Sequence, residues 1–137
     1  MFNKYSDVID SRDVVERIED LEQDQADAMG GFEHIEDMDD ATRAAFLAWE
    51  ADNGHELDAL RELAREASGS PDWKHGETLI RHSYFEEYAQ ELAEDCGMVP
   101  SGLQWPLTCI DWKQAARELQ MDYFSVEFDG IEYWIRG

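Results

Sequence analysis

The chain has 137 residues, of which 43% are apolar and 12% aromatic, which is enough apolar material for a folded core. It carries 33 acidic against 11 basic residues, a formal charge of −22. This charge argues against nucleic acid and membrane surfaces as partners, because both are bound by clusters of basic side chains. It favours a basic protein surface, a cation or a high-salt environment. No apolar run is long enough to cross a bilayer, and no basic-then-apolar leader stands at the start, which predicts a cytoplasmic protein.

The N-terminal half carries more of the acidic excess and is predicted to be helical. Apolar residues recur at helical spacing in three segments, and turn formers separate them. We expect the first helix to begin at a cap, Asp10-Ser11, and to end at Gly30-Gly31. Asn53-Gly54 is expected to break the chain between the second helix and the third. The predicted helices are 11–29, 41–52 and 55–67.

A row of turn formers, Ser68-Gly-Ser-Pro-Asp72, predicts a boundary between two domains. An acidic helical region of about three helices occupies residues 1–69, and an α+β domain occupies residues 70–137. The expected fold class is therefore α+β. An N-terminal helical region is followed by a small domain of helices packed on a short antiparallel sheet, which ends in a C-terminal hairpin.

The predicted elements of the second domain carry their own start signals. Ser83 and Glu86 form a capping box for one helix, and Asp111 caps the next. Cys96 and Cys109 lie next to predicted element ends without metal-ligand spacing, which favours buried free thiols. The expected order is a strand at 77–82, helices at 83–96 and 110–123, and a hairpin at 124–136.

Asp129-Gly130 predicts the turn of that hairpin, because both residues tolerate the positive φ angles of a type I′ turn. Apolar and polar residues alternate on either side of it, so one face is expected to join the core. The same register sets Glu127 directly opposite Glu132, a destabilising pair of like charges. Either Arg136 and solvent screen this pair, or the carboxylates are displayed for a partner.

The sequence predicts no enzyme, no cofactor site and no metal site. His55-Glu-Leu-Asp-Ala59 lacks the second histidine of a zinc-protease helix. Asp37-Met-Asp-Asp40 lacks the glycine and closing glutamate of a calcium loop. The four histidines are dispersed, and no Ser or Cys lies beside a recognisable base. A divalent-metal enzyme is the least favoured hypothesis.

The chemistry that stands out is a display of carboxylates. Side chains three or four residues apart on a helix stand about 5–6 Å from each other, a spacing comparable to that of phosphates along one DNA strand. A rigid body with such rows is expected to occupy the basic groove of a DNA-binding protein complex. The same rows are also compatible with ordinary solvated helix faces. The candidate partner-binding residues are Glu16, Glu19, Asp20, Asp24, Asp27, Glu33, Glu36, Asp37, Asp39, Asp40, Glu86, Glu87, Glu91, Glu94, Asp95, Glu127 and Glu132.

Two pieces of the segment 84–137 form a recognisable pattern. An aromatic-rich acidic stretch begins at Tyr84, and Ile110-Asp-Trp112 with Ala116-Arg-Glu-Leu119 precedes the hairpin. Together they resemble the C-terminal part of ArdA-type antirestriction proteins, over about two fifths of this chain. Members of that family, carried by plasmids and mobile elements, are elongated acidic dimers that imitate bent DNA and block type I restriction-modification enzymes. This chain is shorter than they usually are, and residues 1–69 do not resemble their N-terminal domains.

The resemblance implies an inhibitor with no catalysis of its own that can form a homodimer. We therefore expect a DNA mimic from a phage or mobile element, acting in the host cytoplasm on the basic DNA-binding groove of a defence complex. A type I restriction-modification enzyme and a CRISPR effector are both reasonable targets. The alternative is a non-mimic adaptor or regulator that binds through apolar contacts of the C-terminal domain, with Trp105 and Trp134 as anchors. The resemblance singles out the acids of the matching helices, Glu86, Glu87, Glu91, Glu94, Asp95 and Glu118.

Overall fold

A computed structural model describes residues 2–3 and 5–137 and has a four-stranded antiparallel sheet between two pairs of helices. The predicted α+β class with a C-terminal hairpin is confirmed. The strands are β1 (Val8–Asp10), β2 (Thr78–Arg81), β3 (Tyr123–Phe128) and β4 (Ile131–Arg136), in the sheet order β1-β2-β4-β3. The helices are α1 (Ser11–Met29), α2 (Asp40–Ala67), α3 (Phe85–Asp95) and α4 (Trp112–Leu119).

The hairpin β3–β4 has the predicted turn and register. Asp129 and Gly130 have φ angles of 51° and 80°, as a type I′ turn requires. Phe128 therefore faces Ile131, and the pairing continues along both strands. Because successive side chains point to opposite faces of a strand, the two-residue turn decides which side of the hairpin joins which core.

Helices α1 and α2 cover one face of the sheet and form the larger core with it. Strands and helices from both predicted regions contribute to this single cluster, and β1 pairs with β2 across the predicted boundary. Most members are almost fully removed from water, and each large aliphatic side chain contributes roughly 1.5–3 kcal/mol by burial. The buried members are Ile9, Val14, Leu21, Leu57, Leu60, Leu63, Ala67, Trp73, Leu79, Val126, Phe128, Tyr133 and Ile135.

Helices α3 and α4 cover the opposite face with a smaller core. Its buried members are Ile80, Phe85, Ala89 and Ala116. The Phe85 ring lies edge-on to the ring of Tyr123 at 5.3 Å and to that of Trp134 at 6.1 Å between ring centroids. One buried phenylalanine thus joins α3 to both strands of the hairpin.

Helix α1 has the predicted limits. It begins after Asp10, whose carboxylate accepts a hydrogen bond of 2.8 Å from the backbone N–H of Arg12. It ends at Gly30, whose φ of 63° is the left-handed conformation that terminates many helices. Cap chemistry at both ends of this helix was therefore sufficient to locate it.

The predicted break at Asn53-Gly54 is wrong, because α2 continues through it for 28 residues. Phe46 and Leu57 lie three turns apart on the same buried face, so one straight stripe runs through the glycine. A glycine inside a helix costs about 1 kcal/mol relative to alanine, and burial of this stripe exceeds that cost. Despite the length of α2, no helix within the described residues is long and apolar enough to cross a membrane.

Three further local predictions are corrected. The helix α3 begins later than Ser83, which lies inside a 3-10 turn, and its N-cap Tyr84 makes no side-chain capping bond. The predicted helix at 110–123 ends at Leu119, because a 3-10 turn then leads directly into β3. Cys96 and Cys109 are free as predicted but exposed, since the loop between them packs weakly. Strand β1 was not predicted, because three residues are too short for a readable alternation.

Candidate functional site: an acidic helical layer

The two helical layers carry different charges. Residues 11–67, here called the α1–α2 layer, contain 18 acidic residues and five arginines, a net charge of −13. Residues 82–122, the α3–α4 layer, contain eight acidic residues and two basic ones, a net charge of −6. More than half of the total of −22 therefore lies in one layer of the fold.

Each arginine of the α1–α2 layer is paired with a neighbouring carboxylate. Arg17 is bound by Glu56 through two contacts of 3.0 Å, and these hydrogen bonds raise the pKa of Arg17. Arg61 lies 3.5 Å from Glu22, so both of these pairs join the two helices. The other pairs are Arg12 with Asp10, Arg43 with Asp40, and Arg65 with Glu62. Four of the five arginines are thus paired within the layer, and Arg12 is paired with Asp10 just before it.

An open groove with a volume of about 560 Å³ lies between α1 and α2. Among the described residues that line the groove, Arg17 is the only arginine, and it is paired with Glu56. Phe2 and the exposed Tyr5 form an aromatic side of the groove. The carboxylates that line it are Asp13, Glu16, Asp20, Asp52 and Glu56. A cationic side chain in this groove would meet negative charge from both helices.

The predicted partner-binding residues fall on three surfaces that the fold keeps apart. All are exposed except Glu94, which is half-buried. The acids of α1, of residues 30–39 and of the start of α2 belong to the α1–α2 layer. The acids of α3 lie on the opposite face of the sheet, and Glu127 and Glu132 lie beside the hairpin turn. The structure does not bring all of them together into one face.

Three predicted residues also take part in local structure. Asp39 caps α2, and the hydrogen bond of 2.7 Å that it accepts from the Thr42 N–H holds its pKa below the usual range. Glu91 accepts a hydrogen bond of 2.5 Å from the Tyr84 hydroxyl, which raises the pKa of Tyr84 to about 12. Asp27 accepts one from Gln23 at 3.0 Å. Because these three carboxylates already accept hydrogen bonds within the chain, they are less available to a binding partner than their neighbours.

The hairpin places Glu127 directly opposite Glu132, as predicted. No lysine or arginine in the described chain lies within 4 Å of either carboxylate. The backbone N–H of Glu127 donates to a third carboxylate, Glu66, at 3.2 Å. Glu132 lies 4.0 Å from Nδ1 of His82, but that nitrogen accepts a hydrogen bond of 3.0 Å from the Trp134 indole. Because Nδ1 is the acceptor in this bond, it donates no hydrogen bond to Glu132.

Comparison with known proteins gives no match. No protein-family model, curated protein or solved structure matches this chain. The resemblance of residues 84–137 to ArdA-type proteins therefore stays a prediction from sequence.

Sequence reasoning missed part of the groove. Asp52 and Glu56 line it together, at the i, i+4 spacing of one helix face, but the predicted break at Asn53-Gly54 separated them. The continuous stripe from Phe46 to Leu57 was the signal that places both on one helix.

Within residues 2–3 and 5–137, no three His, Cys, Asp or Glu side chains are arranged to hold a metal ion.

The two tryptophans of the alternative hypothesis have different environments. Trp105 is 81% exposed in the loop between α3 and α4, where Met98 is 78% exposed. Trp134 is half-buried against Phe85, and its indole N–H is bonded to His82. Only Trp105 is therefore available to a partner without disturbing the fold.

Proposed function

We propose that this protein is a DNA mimic from a phage or mobile element that occupies the basic DNA-binding groove of a host defence complex, either a type I restriction-modification enzyme or a CRISPR effector. The observation that carries the proposal is the α1–α2 layer, with a net charge of −13 and each of its arginines paired with a carboxylate of the same chain. Basic residues of a DNA-binding groove would meet the exposed carboxylates of this layer that pair with no arginine of the described chain, such as Glu16, Asp20 and Asp24.

The length of α2 supports the same conclusion. At 1.5 Å per residue its 28 residues extend for about 42 Å, the length of roughly 12 base pairs of B-DNA. Exposed acids occur along this helix and along α1. A rigid surface of this length offers negative charge over a stretch that a groove for a DNA duplex is built to hold.

The test is competition for DNA. A type I restriction enzyme and a CRISPR effector are each incubated with labelled target DNA and increasing amounts of the protein, across a salt series. We expect the protein to displace DNA from one of them, with competition weakening as salt rises. No displacement from either complex at low salt would contradict the proposal.

Two matched triple variants identify the face that binds. Glu16→Gln, Asp20→Asn and Asp24→Asn neutralise three exposed acids of α1, whereas Glu86→Gln, Glu87→Gln and Asp95→Asn neutralise three of α3. Both variants change the net charge by the same amount. We expect the α1 variant to compete less well, by about tenfold or more, and the α3 variant to stay close to wild type. Equal losses would mean that total charge, and not the α1–α2 layer, determines binding.

The exposure of Trp105 favours a second candidate, a non-mimic adaptor that binds through apolar contacts. Large exposed aromatic side chains are the usual anchors of protein interfaces. In this case Trp105→Ala abolishes binding, and the interaction survives high salt. The α1 variant described above would then bind normally, which separates the two candidates.

A further inference from the structure

Strand β3 lies at the edge of the sheet, and within the described chain its outer side pairs with no other strand. The two-residue turn makes Phe128 and Ile131 a hydrogen-bonded pair, and such pairs alternate along an antiparallel hairpin. Ser125 and Glu127 therefore direct their backbone groups away from β4. Backbone groups on an exposed edge are a template for another strand.

One of these outward groups, the Glu127 N–H, is bonded to a side chain of the same protein, Glu66. Its carboxylate receives the Glu127 N–H at 3.2 Å, in the position where a neighbouring strand would place a carbonyl. The contact is exposed, so the side chain of Glu66 can rotate away at little cost. An open depression of about 710 Å³ lies along the same edge, lined by Glu66, Ser125, Val126, Glu127, Gly130 and Glu132.

The charge of this edge determines which strand fits it. Glu66, Glu127 and Glu132 surround it, and no lysine or arginine of residues 2–3 and 5–137 forms an ion pair with them. A second copy of this chain is a poor occupant, because each copy carries a charge of −22. An extended segment with lysine or arginine at alternate positions has the complementary charge and places its basic side chains on one face.

We infer that the free edge of β3 binds an extended basic segment of a partner protein, which adds to the sheet as a fifth strand. Its carbonyl replaces the Glu66 carboxylate on the Glu127 N–H, and its basic side chains lie beside Glu127 and Glu132. Strand addition draws affinity from backbone hydrogen bonds and specificity from alternate side chains. Apart from Glu66 of α2, this surface consists of hairpin residues, and its binding of a partner does not depend on the function of the α1–α2 layer.

The test uses a labelled peptide, acetyl-Lys-Thr-Lys-Val-Lys-Thr-amide, and a matched peptide with glutamate in place of lysine. We expect fluorescence polarisation to detect binding of the lysine peptide only. The key variant is Ser125→Pro, since proline removes an outward N–H and is tolerated on an edge strand. It should weaken binding by about tenfold or more, whereas Ser125→Thr should not.

Amide hydrogen exchange of the wild-type protein provides a second measurement that needs no variant. Binding of the lysine peptide should slow exchange of the Ser125 amide and leave amides of the α1 surface unchanged. Normal binding by a folded Ser125→Pro protein, unchanged exchange at Ser125 in the bound state, or no binding of the lysine peptide would each overturn the inference. The α1 triple variant should still bind the peptide, which separates this result from failure of DNA mimicry.

Discussion

The α1–α2 layer and the α3–α4 layer cover opposite faces of one sheet, but they differ in core size and in charge. The first buries a cluster of thirteen residues and carries a charge of −13. The second buries four residues and carries −6. The layer with the greater self-repulsion is thus the one with the larger apolar core.

This difference suggests a division of roles. Repulsion between exposed carboxylates is weak for each pair in water, whereas each buried aliphatic side chain contributes more. The large core can therefore hold a densely charged surface in one conformation. The smaller α3–α4 layer leaves part of the sheet uncovered near the hairpin turn, where Glu127 and Glu132 are exposed.

The strongest test of the comparison is Leu60→Ala, which opens a cavity in the larger core at a side chain with no exposed surface. We expect the free energy of unfolding to fall by about 2–5 kcal/mol, measured by urea denaturation. Leu47→Ala on the same helix is the control, since Leu47 is 48% exposed and should lose about 0.5 kcal/mol or less. Similar losses for both variants would contradict the assignment of the core.

Helix α4 sharpens the comparison, because it has only eight residues and depends on its cap. The Asp111 carboxylate accepts a hydrogen bond of 3.1 Å from the Gln114 N–H. Asp111→Ala should destabilise the protein by about 1 kcal/mol, and Asp111→Asn by less, because asparagine also caps helices. Thermal melts followed by circular dichroism measure both, and equal destabilisation would show that the cap is unimportant.

Gly54→Ala tests the continuity of α2. The residue is helical, and an added Cβ would lie 3.1 Å from Cγ of Glu50, the flexible part of an exposed side chain that can move. We expect an increase in stability of about 0.5–1 kcal/mol, because alanine has the higher helix propensity. Destabilisation in urea would indicate that the predicted break at this position has a structural role after all.

The like-charged pair on the hairpin gives a smaller effect. Glu132→Gln removes the repulsion from Glu127 and should stabilise the protein by about 0.2–1 kcal/mol at low salt, with a smaller gain at high salt. Glu118→Gln serves as the control, since Glu118 is exposed on α4. A double-mutant cycle with Glu127→Gln isolates the pair, and additive effects would show that the two carboxylates do not interact.

The smallest expected effect is the pH dependence of the α2 cap. The backbone hydrogen bond from Thr42 lowers the pKa of Asp39 below its ordinary value of 3.8. Its contribution is therefore fully present above pH 3.8 and is lost as the pH falls through the lower folded-state pKa. Between pH 5 and 3, the melting temperature of the wild type should fall relative to Asp39→Asn, whose cap does not titrate. Parallel curves would contradict this.

Much of the fold was readable from local signals. The cap of α1 at Asp10, the stop at Gly30 and the turn at Asp129-Gly130 were all predicted correctly, because each depends on residues a few positions apart. The continuity of α2 was not, because it depends on burial against strands far along the chain. Long-range packing overrides the local preference of Asn53-Gly54.

Only part of the candidate site was predictable from the sequence, because Asp52 and Glu56 of the groove were missed and the arrangement of the surfaces was not foreseen. Exposure of the α1 acids followed from their spacing, and α3 has the same kind of acidic spacing. The strand order β1-β2-β4-β3 determines that these two rows lie on opposite sides of the sheet. No pattern within either helix contains that information.

The same strand order has a consequence for biosynthesis. The apolar side of α1 and α2 is covered by β4 and β3, which the ribosome adds only after α3 and α4. Until then, a strongly acidic pair of helices is tethered to the ribosome with its leucines exposed. Long-range pairing of this kind is slow, and such surfaces are typical binding sites for chaperones during synthesis. The density of carboxylates on the nascent helices then helps to keep neighbouring chains apart.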